Sequence, residues 1–426
     1  MTGKRSASTI ACFLLALIVF AFAAAAGATT IAGHTTTLPY FYQEPDRNDA
    51  KSYLPIWQYS DFSANDMGVT GLNLYLYGWG RIDTYTRMDN DSIGDGDLAA
   101  GYIEYVNPED LVTVRAGRQY ISQGVTSSNV DGGYFMVSGW GFGLEGFGGV
   151  PVYTDYGTRA GDYCYGGRLF FRYKRYVELS ASADSFYENR IPDNTHAGGE
   201  FRAWPIQQVM LDAHYYYDLI YNMPYDMKGS VRYRPIRDLQ LLASYERLAP
   251  ASMIGKTSIF SIFTFDNYRV GTGSVSYRYK ERFEFSTAFS YVTFDDGSNA
   301  PKVDGGVAFF WGDHKQDAAG LDYRHLFDPD RGYDETRAYV MQSLTKKLTL
   351  GLDAMTTFLS ESVNGVSTSF WGQASLEAKI TDKFSIVGAG SISTNPYLTK
   401  DARGTLKIVY NGEHTFGQTP AGGVQR

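Results

Sequence analysis

The ionisable side chains that could do chemistry in this sequence do not form the short spaced motifs of enzymes or metal sites. The sequence has no Cys-x-x-Cys-His, no His-Glu-x-x-His, no phosphate-binding glycine loop and no Gly-x-Ser-x-Gly elbow. Its histidines are too far apart to indicate a metal cluster: His34, His196, His214, His314, His325 and His414. We therefore predict a protein that is not an enzyme, with no catalytic or metal-binding residues and no covalently bound haem.

Two other segments only superficially resemble functional loops. The acidic run from Asp89 to Asp97 has Ile93 where a calcium loop needs an oxygen ligand, and Ala100 where it needs the closing glutamate. We interpret it as a solvated loop. The glycine-rich run from Gly139 to Gly149 alternates glycine with aromatic residues, which is more typical of a bent strand than of a nucleotide loop.

The remaining charged residues recur at alternate positions with apolar residues between them. From Phe283 to Tyr291, aromatic side chains alternate with Glu284 and small polar residues. Because successive side chains of a strand point to opposite faces, this pattern predicts a strand with one apolar and one polar face. The charges predicted to line a pore on this basis are Arg115, Arg168, Arg172, Asp212, Lys228, Arg232, Arg278, Glu284 and Asp353.

Similar alternating stretches, separated by turn residues, follow one another from Val69 to Tyr410. They are longer than the five or six residues of an average strand in a soluble sandwich, and near the roughly nine to eleven that a tilted membrane strand needs. The 34 Tyr, 26 Phe and 46 Gly suit strands with aromatic bands at the lipid–water boundary. We predict an all-β fold, a transmembrane antiparallel β-barrel of about 20 strands over residues 69–410, with an uncertainty of two strands.

The turns between these stretches are expected to alternate between short and long, as in outer-membrane barrels. Tight turns are predicted near Pro108, Lys174, Pro205, Ile236, Glu281, Lys346 and Asp382, with less obvious ones at Gly139–Trp140 and Gly312–Asp313. Longer loops are predicted at 86–96, 122–129, 154–162, 188–196, 218–225, 248–268, 295–302, 326–334, 360–367 and 394–400.

The two ends of the chain are expected to lie outside the barrel. Lys4 and Arg5, an apolar run and small residues up to Ala28 predict a signal peptide over residues 1–28, and hence export. Several prolines between 29 and 68 predict an irregular periplasmic or lumenal segment. Residues 411–426 are predicted to be a periplasmic tail. The predicted localisation is the bacterial outer membrane.

A wide lumen follows from the strand number, because barrels of 16 to 18 strands already leave an aqueous channel. Neither sign of charge dominates the predicted lining, so no strong ion selectivity is expected. An acidic chain with no basic tract, net charge -8 at pH 7, argues against nucleic acid as a partner.

The segment from Arg115 to Gly124, followed by Val130-Asp131-Gly132-Gly133, resembles bacterial porins. Together with Leu72–Asp83, it is more narrowly similar to the porin-like barrels of porin–cytochrome conduits in metal-reducing bacteria. That resemblance covers about the first third of the mature chain. It implies a barrel that sheathes a multihaem c-type cytochrome, with periplasmic and extracellular cytochromes as partners and haem held only by those partners.

The residues leave three functions open. The first is the sheath of an electron conduit, the second a passive diffusion porin for small hydrophilic solutes, and the third a barrel with a plugged lumen.

Overall fold

The computed structural model describes residues 30–44, 51–85, 93–152, 161–249, 267–312, 316–328, 332–396 and 401–415. The predicted signal peptide, residues 1–28, lies outside these ranges. No helix within them is long and apolar enough to cross a membrane.

The described residues form 23 strands in one antiparallel sheet. The strands are β1 Thr30–Glu44, β2 Lys51–Tyr53, β3 Pro55–Asn65, β4 Leu72–Asp83, β5 Gly94–Val106, β6 Val112–Gln123, β7 Thr126–Gly139, β8 Phe142–Pro151, β9 Tyr163–Tyr173, β10 Val177–Glu188, β11 Ile191–Ile206, β12 Val209–Asp218, β13 Met223–Ile236, β14 Leu239–Leu248, β15 Tyr268–Tyr279, β16 Phe283–Phe294, β17 Asn299–Trp311, β18 Asp317–Leu326, β19 Tyr333–Thr345, β20 Leu348–Val363, β21 Val366–Thr381, β22 Phe384–Thr394 and β23 Asp401–Thr415.

The sheet closes on itself through β1. This strand pairs with β3 on one side, from Thr30 opposite Asn65, and with β23 on the other, from Thr30 opposite Thr415. From β3 to β23 each strand pairs with the next, so 22 strands complete the barrel and the short β2 extends the line of β3. Closure leaves no unpaired edge, which is what a sheet surrounded by lipid requires.

The predicted alternation sorts side chains onto the two faces of this barrel. On β16, Phe285, Phe289 and Tyr291 are about half exposed, while Ser290 on the other face is buried. Comparable exposed residues, among them Leu321 and Ile392, continue this apolar face around the barrel. Lipid covers such a face and stabilises it by roughly 25 cal/mol per Å² of apolar surface removed from water. The charged face is therefore the lumen.

The strand count of 20 holds for the part of the chain from which it was derived, because β4–β23 are 20 strands. The predicted irregular segment 29–68 is wrong where the structure describes it, since β1, β2 and β3 lie there and close the barrel. The prolines led to the wrong prediction because the strands accommodate them. Pro55 is the first residue of β3, and the pairing of β1 with β23 is interrupted beside Pro39.

Among the described residues, several predicted turns lie between strands, and three predicted long loops are wrong. The tight turn predicted at Gly139–Trp140 lies at the end of β7, before β8, whereas Asp313 of the turn predicted at Gly312–Asp313 lies outside the described residues. The described strands on either side of the long loop end at Leu248 and begin at Tyr268. However, the predicted long loops at 122–129, 188–196 and 360–367 are hairpins with two-residue turns. Asn189 and Arg190, and Asn364 and Gly365, have the positive φ values that such tight turns use.

The last strand continues beyond Tyr410 to Thr415, because it pairs with the beginning of β1. Residues 411–415 of the predicted tail therefore belong to β23. Residues 416–426 lie outside the described part of the chain.

Candidate functional site

A hairpin formed by the ends of β6 and β7 leaves the barrel wall. The pairing of β5 with β6 ends at Gly101 opposite Arg118, and that of β7 with β8 ends at Val130 opposite Pro151. In the ladder, residues 119–123 pair only with residues 126–130. We call residues 119–129 the inner hairpin.

The tip of the inner hairpin is bound to the lumen face of distant strands. The amide of Val125 donates to the hydroxyl of Ser182 on β10 at 3.0 Å, and the Thr126 hydroxyl donates to Asp184 at 2.9 Å. The Tyr225 hydroxyl on β13 donates to the carbonyl of Val125 at 3.3 Å. The hairpin is therefore folded into the barrel and held along the wall of β10–β13.

An apolar core fills the space beneath this hairpin. Ile121 on the hairpin packs in one cluster with Val130, Tyr134, Phe147 and Cys164, all at most 8% exposed. Burying these side chains on the lumen side excludes water from the contact, at about 1.5–3 kcal/mol for each large side chain. The hairpin is thus packed as well as hydrogen-bonded. Cys164, the single cysteine among the described residues, is a buried packing residue.

The glycines of the segment that resembles porins let the hairpin leave the wall. Gly117 has φ of 126°, and a Cβ there would lie 2.3 Å from the carbonyl oxygen of Gly101. A Cβ on Gly132 would lie 2.1 Å from the carbonyl oxygen of Gly148. Both distances are too short for a side chain, so the backbone can approach this closely only with glycine. Gly124, with φ of 58°, forms the turn at the tip.

Arg118 joins the base of the inner hairpin to the neighbouring strands. Its guanidinium donates to both carboxylate oxygens of Asp131 on β7, at 2.8 and 2.9 Å. It also donates to the carbonyl of Leu98 at 2.9 Å and to Asp97 at 3.1 Å, both on β5. This bidentate contact fixes β6 to β7 where the β5–β6 pairing ends.

Arg168 on β9 is the centre of a charged cluster beside the hairpin. It lies 2.8 Å from Glu200, 3.2 Å from Glu178 and 3.9 Å from Glu145, and its side chain is only 10% exposed. Glu145 has one buried carboxylate oxygen without a hydrogen-bond partner. The cluster therefore places more negative than positive charge on this part of the lumen wall, although Arg172 on β9 also contacts Glu178 at 3.3 Å.

A second charged cluster lies on β17–β20. Arg324 contacts Asp304 at 2.7 Å and Glu335 at 3.1 Å, and Arg337 contacts Asp353 at 2.5 Å. These residues line a recess of about 950 Å³ in the wall. The opposite charges are paired across neighbouring strands, so this part of the wall carries both signs side by side.

The structure places the nine predicted lining charges on the face opposite the exposed apolar residues. Eight of them contact an oppositely charged residue, in the pairs Arg115–Glu104, Arg168–Glu200, Arg172–Glu178, Asp212–Arg202, Lys228–Glu246, Arg278–Glu284 and Asp353–Arg337. The ninth, Arg232, lies 3.9 Å from the sulfur of Met210. Their contact with a permeating solute stays a prediction.

The inner hairpin and several pairing partners were not predicted. Arg202, Arg324 and Arg337 alternate with apolar residues in the same way as the predicted charges, so the same rule applied to every strand would have identified them. Nothing local marks Thr126 or Ser182 as contacts. The closely spaced glycines at 117, 124, 132 and 133 were the available signal that the backbone departs from a regular strand.

Each histidine whose side chain is described contacts one aspartate. The pairs are His34–Asp61, His196–Asp184, His214–Asp226 and His325–Asp334, at 2.8 to 2.9 Å. No group of three or more potential metal ligands occurs among the described residues. The histidines therefore take part in cross-strand pairs of the lumen.

No family model and no curated protein sequence matches the chain. Solved structures are similar to it in fold. The siderophore receptor PirA from Pseudomonas aeruginosa matches with a TM-score of 0.52 and 9% identity, over 89% of this chain and 80% of that chain. OccAB4 from Acinetobacter baumannii has a TM-score of 0.46 and 8% identity over 90% and 98%. A BenF-like porin from Pseudomonas fluorescens Pf-5 has 0.45 and 8% over 90% and 99%.

The likeness to PirA supports the barrel fold, and at 9% identity it says nothing of what this chain binds. The closed 22-stranded sheet, its apolar outer face and its charged lumen together define an outer-membrane β-barrel.

Proposed function

We propose that this protein forms a water-filled channel of porin type through the bacterial outer membrane. The observation that carries the proposal is the lumen face itself, where partly exposed charged side chains pair across strands, among them Arg278, Arg324 and Arg337 at 43 to 54% exposure. Charged groups at this density need water around them, because burying them in an apolar interior would cost several kcal/mol for each ion. The wall is thus suited to border an aqueous path.

The width of the barrel supports the same proposal. With strands about 4.8 Å apart and tilted by about 40°, 22 strands enclose a cylinder with a backbone diameter of about 44 Å. Wall side chains alone do not fill such a space. The inner hairpin contacts β10 and β13 in the wall, so it narrows the lumen from one side.

The direct test is ion conductance. The mature protein, purified from outer membranes in detergent, is expected to open stable channels in planar lipid bilayers with little preference between K⁺ and Cl⁻. A preparation that inserts as a folded barrel without conducting would contradict the proposal and favour a plugged lumen.

The second candidate is the sheath of a porin–cytochrome conduit, in which a multihaem cytochrome occupies the lumen. It is supported by the width of the barrel and by the resemblance of Leu72–Asp83 and Arg115–Gly124 to such barrels. Because the sequence has no Cys-x-x-Cys-His, the haem of such a conduit would belong to periplasmic and extracellular partner cytochromes.

A haem stain of proteins that co-purify with the barrel separates the two candidates. Haem-positive bands in stoichiometric amount, together with low conductance of the complex, would support the sheath. A barrel that purifies alone and conducts would support the diffusion channel.

A further inference from the structure

The lumen face of the first strands carries aromatic rings where most of the wall carries charges and small polar groups. Tyr75, Tyr77 and Trp79 occupy alternate positions of β4. Leu74, on the other face of β4, pairs with Ile103, which belongs to the exposed apolar face and is 50% exposed. The three rings therefore point into the lumen.

Rings on neighbouring strands extend this surface. Trp57 on β3 lies 5.3 Å from Trp79 and 6.2 Å from Tyr59, between ring centroids, with the planes of Trp57 and Tyr59 only 8° apart. Leu38 on β1 pairs with Trp57, and Tyr40 lies two residues further along β1, on the same face as Leu38. We call Tyr75, Tyr77, Trp79, Tyr59, Trp57 and Tyr40 the aromatic track.

The aromatic track follows the direction in which a solute crosses the membrane. Tyr75 pairs with Ser63, and Ser63 pairs with Ala32 on β1. Because Ala32 and Tyr40 are eight residues apart on β1, Tyr75 and Tyr40 are separated by eight residues along the strand direction. At about 3.4 Å for each residue, the track covers roughly 27 Å along the strands. Further ring contacts continue it, Tyr75–Tyr102 at 5.1 Å at one end and Tyr40–Tyr42 at 5.4 Å at the other.

The rings are accessible from the lumen. Tyr77 is 41% exposed, and Trp57, Tyr59 and Trp79 are each partly exposed rather than buried. Aromatic side chains with a free face in a water-filled space bind flat apolar surfaces, because stacking removes both faces from water. The track therefore offers a continuous series of stacking positions.

The charged groups beside the aromatic track are paired with one another, and this pairing restricts the class of solute that the track can bind. Asp61, opposite Tyr77, contacts His34 at 2.9 Å, and the guanidinium of Arg81 lies 5.4 Å over the Trp57 ring and contacts Asp83 at 3.3 Å. At the Tyr40 end of the track, Arg403 donates to the Tyr40 hydroxyl at 3.2 Å and contacts Asp401 at 2.7 Å.

Each of these cations has a carboxylate beside it, so none offers an uncompensated charge to an ionic solute. Paired groups still donate and accept hydrogen bonds. A neutral ring compound with one apolar face and a rim of hydroxyl groups matches both features, since its face stacks on the rings and its hydroxyls bond to the accessible members of these pairs, His34, Asp61 and Arg403, whose side chains are 40 to 50% exposed.

We propose that the aromatic track binds neutral carbohydrate chains and guides them through the lumen. Pyranose rings have flat C–H faces that stack on aromatic rings, and a linear oligosaccharide can occupy several positions of the track at once. The proposal rests on the proposed channel function and names its solute class.

The test uses maltohexaose as the probe and the full-length mature protein in planar bilayers. Maltohexaose is expected to reduce the ion current in a saturable manner, whereas glycerol, which has no ring, is not. Trp79→Ala is expected to raise the half-blocking concentration about fivefold or more, the effect of losing one aromatic contact. Trp79→Phe is expected to keep most of the block.

Trp371→Ala is the matched control. Trp371 pairs with Met355 on the lumen side of β20 and β21, away from the track, so its loss is expected to leave the half-blocking concentration within about twofold. If Trp371→Ala weakens the block as much as Trp79→Ala does, the track is not the binding surface.

Two outcomes separate this inference from the channel proposal. A conducting wild-type channel that maltohexaose does not block, or that benzoate blocks instead, would overturn the carbohydrate track and leave the channel standing. If the barrel does not conduct, the channel proposal fails, and calorimetric titration of the detergent-solubilised protein with maltohexaose then decides the track. Saturable binding that Trp79→Ala weakens would support it, and no heat of binding would refute it.

Discussion

Thr126, at the tip of the inner hairpin, donates its hydroxyl to Asp184 on β10 at 2.9 Å across 58 residues of sequence. Asp184 is 4% exposed and also contacts the His196 ring at 2.9 Å. One buried carboxylate thus binds both the hairpin and the wall. The position of the hairpin in the lumen depends on contacts of this kind.

Replacing Thr126 by Val is expected to weaken hairpin docking. The substitution keeps the shape of the side chain but removes the donor, which costs about 1 kcal/mol and leaves an acceptor of Asp184 without its partner. Hydrogen exchange at the amides of residues 119–129 should accelerate. Thr126→Ser keeps the hydroxyl and is the matched control, so equal exchange in both variants would mean that the bond to Asp184 does not hold the hairpin.

Gly132→Ala is expected to destabilise the barrel strongly. Its Cβ would lie 2.1 Å from the carbonyl oxygen of Gly148, so β7 and β8 would have to separate, at a cost of about 2 kcal/mol or more. Gly133→Ala is the adjacent control, because the nearest atom to its Cβ would be 3.9 Å away. Thermal unfolding in detergent, followed by circular dichroism, should show a clear loss of melting temperature for Gly132→Ala only. Similar losses for the two would refute the close approach of β7 and β8.

Arg168→Met is expected to affect both stability and ion selectivity. It leaves Glu145, Glu178 and Glu200 together without their shared cation, and removing one partner of a buried pair costs about 3–5 kcal/mol. The added negative charge of the lumen should shift the reversal potential in a KCl gradient towards cation selectivity.

Arg278→Met is the control for Arg168→Met. The Arg278 side chain is 54% exposed in its pair with Glu284, so its loss should cost less than about 1 kcal/mol. Equal destabilisation by the two substitutions would show that the cluster around Arg168 is as solvated as an ordinary surface pair.

Adjacent positions of β16 should respond oppositely to a new charge. Phe289→Arg places a guanidinium in lipid, which costs about 2–4 kcal/mol near the middle of the membrane. Ala288→Arg places it in the lumen, where Ala288 pairs with Asp304 on β17, and should be tolerated. The yield of folded protein in the outer membrane measures the difference, and a lower yield for Ala288→Arg would reverse the assigned faces.

The barrel followed from the sequence because its signal is local and repeated. The alternation from Phe283 to Tyr291 needs no knowledge of a partner strand, and the same rule gave the 20 strands that begin with β4. β1 and β3 were not predicted, because Pro39 and Pro55 indicate irregular structure when the strand pairing around them is unknown. The turn at Asn189–Arg190 was missed because neither residue is glycine.

The candidate site was only partly predictable, because its contacts join residues that are far apart in the sequence. The charged pairs depend on the register of neighbouring strands. Arg337, for example, lies opposite Asp322 on one neighbouring strand and opposite Met355 on the other. The register is set by the pairing of the whole sheet, not by the local sequence. The inner hairpin depends on Ser182, Asp184 and Tyr225, which the fold alone brings to Val125 and Thr126. No local pattern in residues 119–129 specifies those contacts.

The most direct test of the account is to map the two faces of one strand. Single cysteines at 285, 286, 288, 289, 290 and 291, in a Cys164→Ser background, are exposed to a water-soluble maleimide and to a lipid-soluble quencher of an attached fluorophore. Positions 286 and 288 should react with the maleimide, position 290 should react more slowly because it is buried, and probes at 285, 289 and 291 should be quenched from the lipid. Uniform labelling of both sets, or the reverse pattern, would contradict a closed barrel with a water-filled charged lumen.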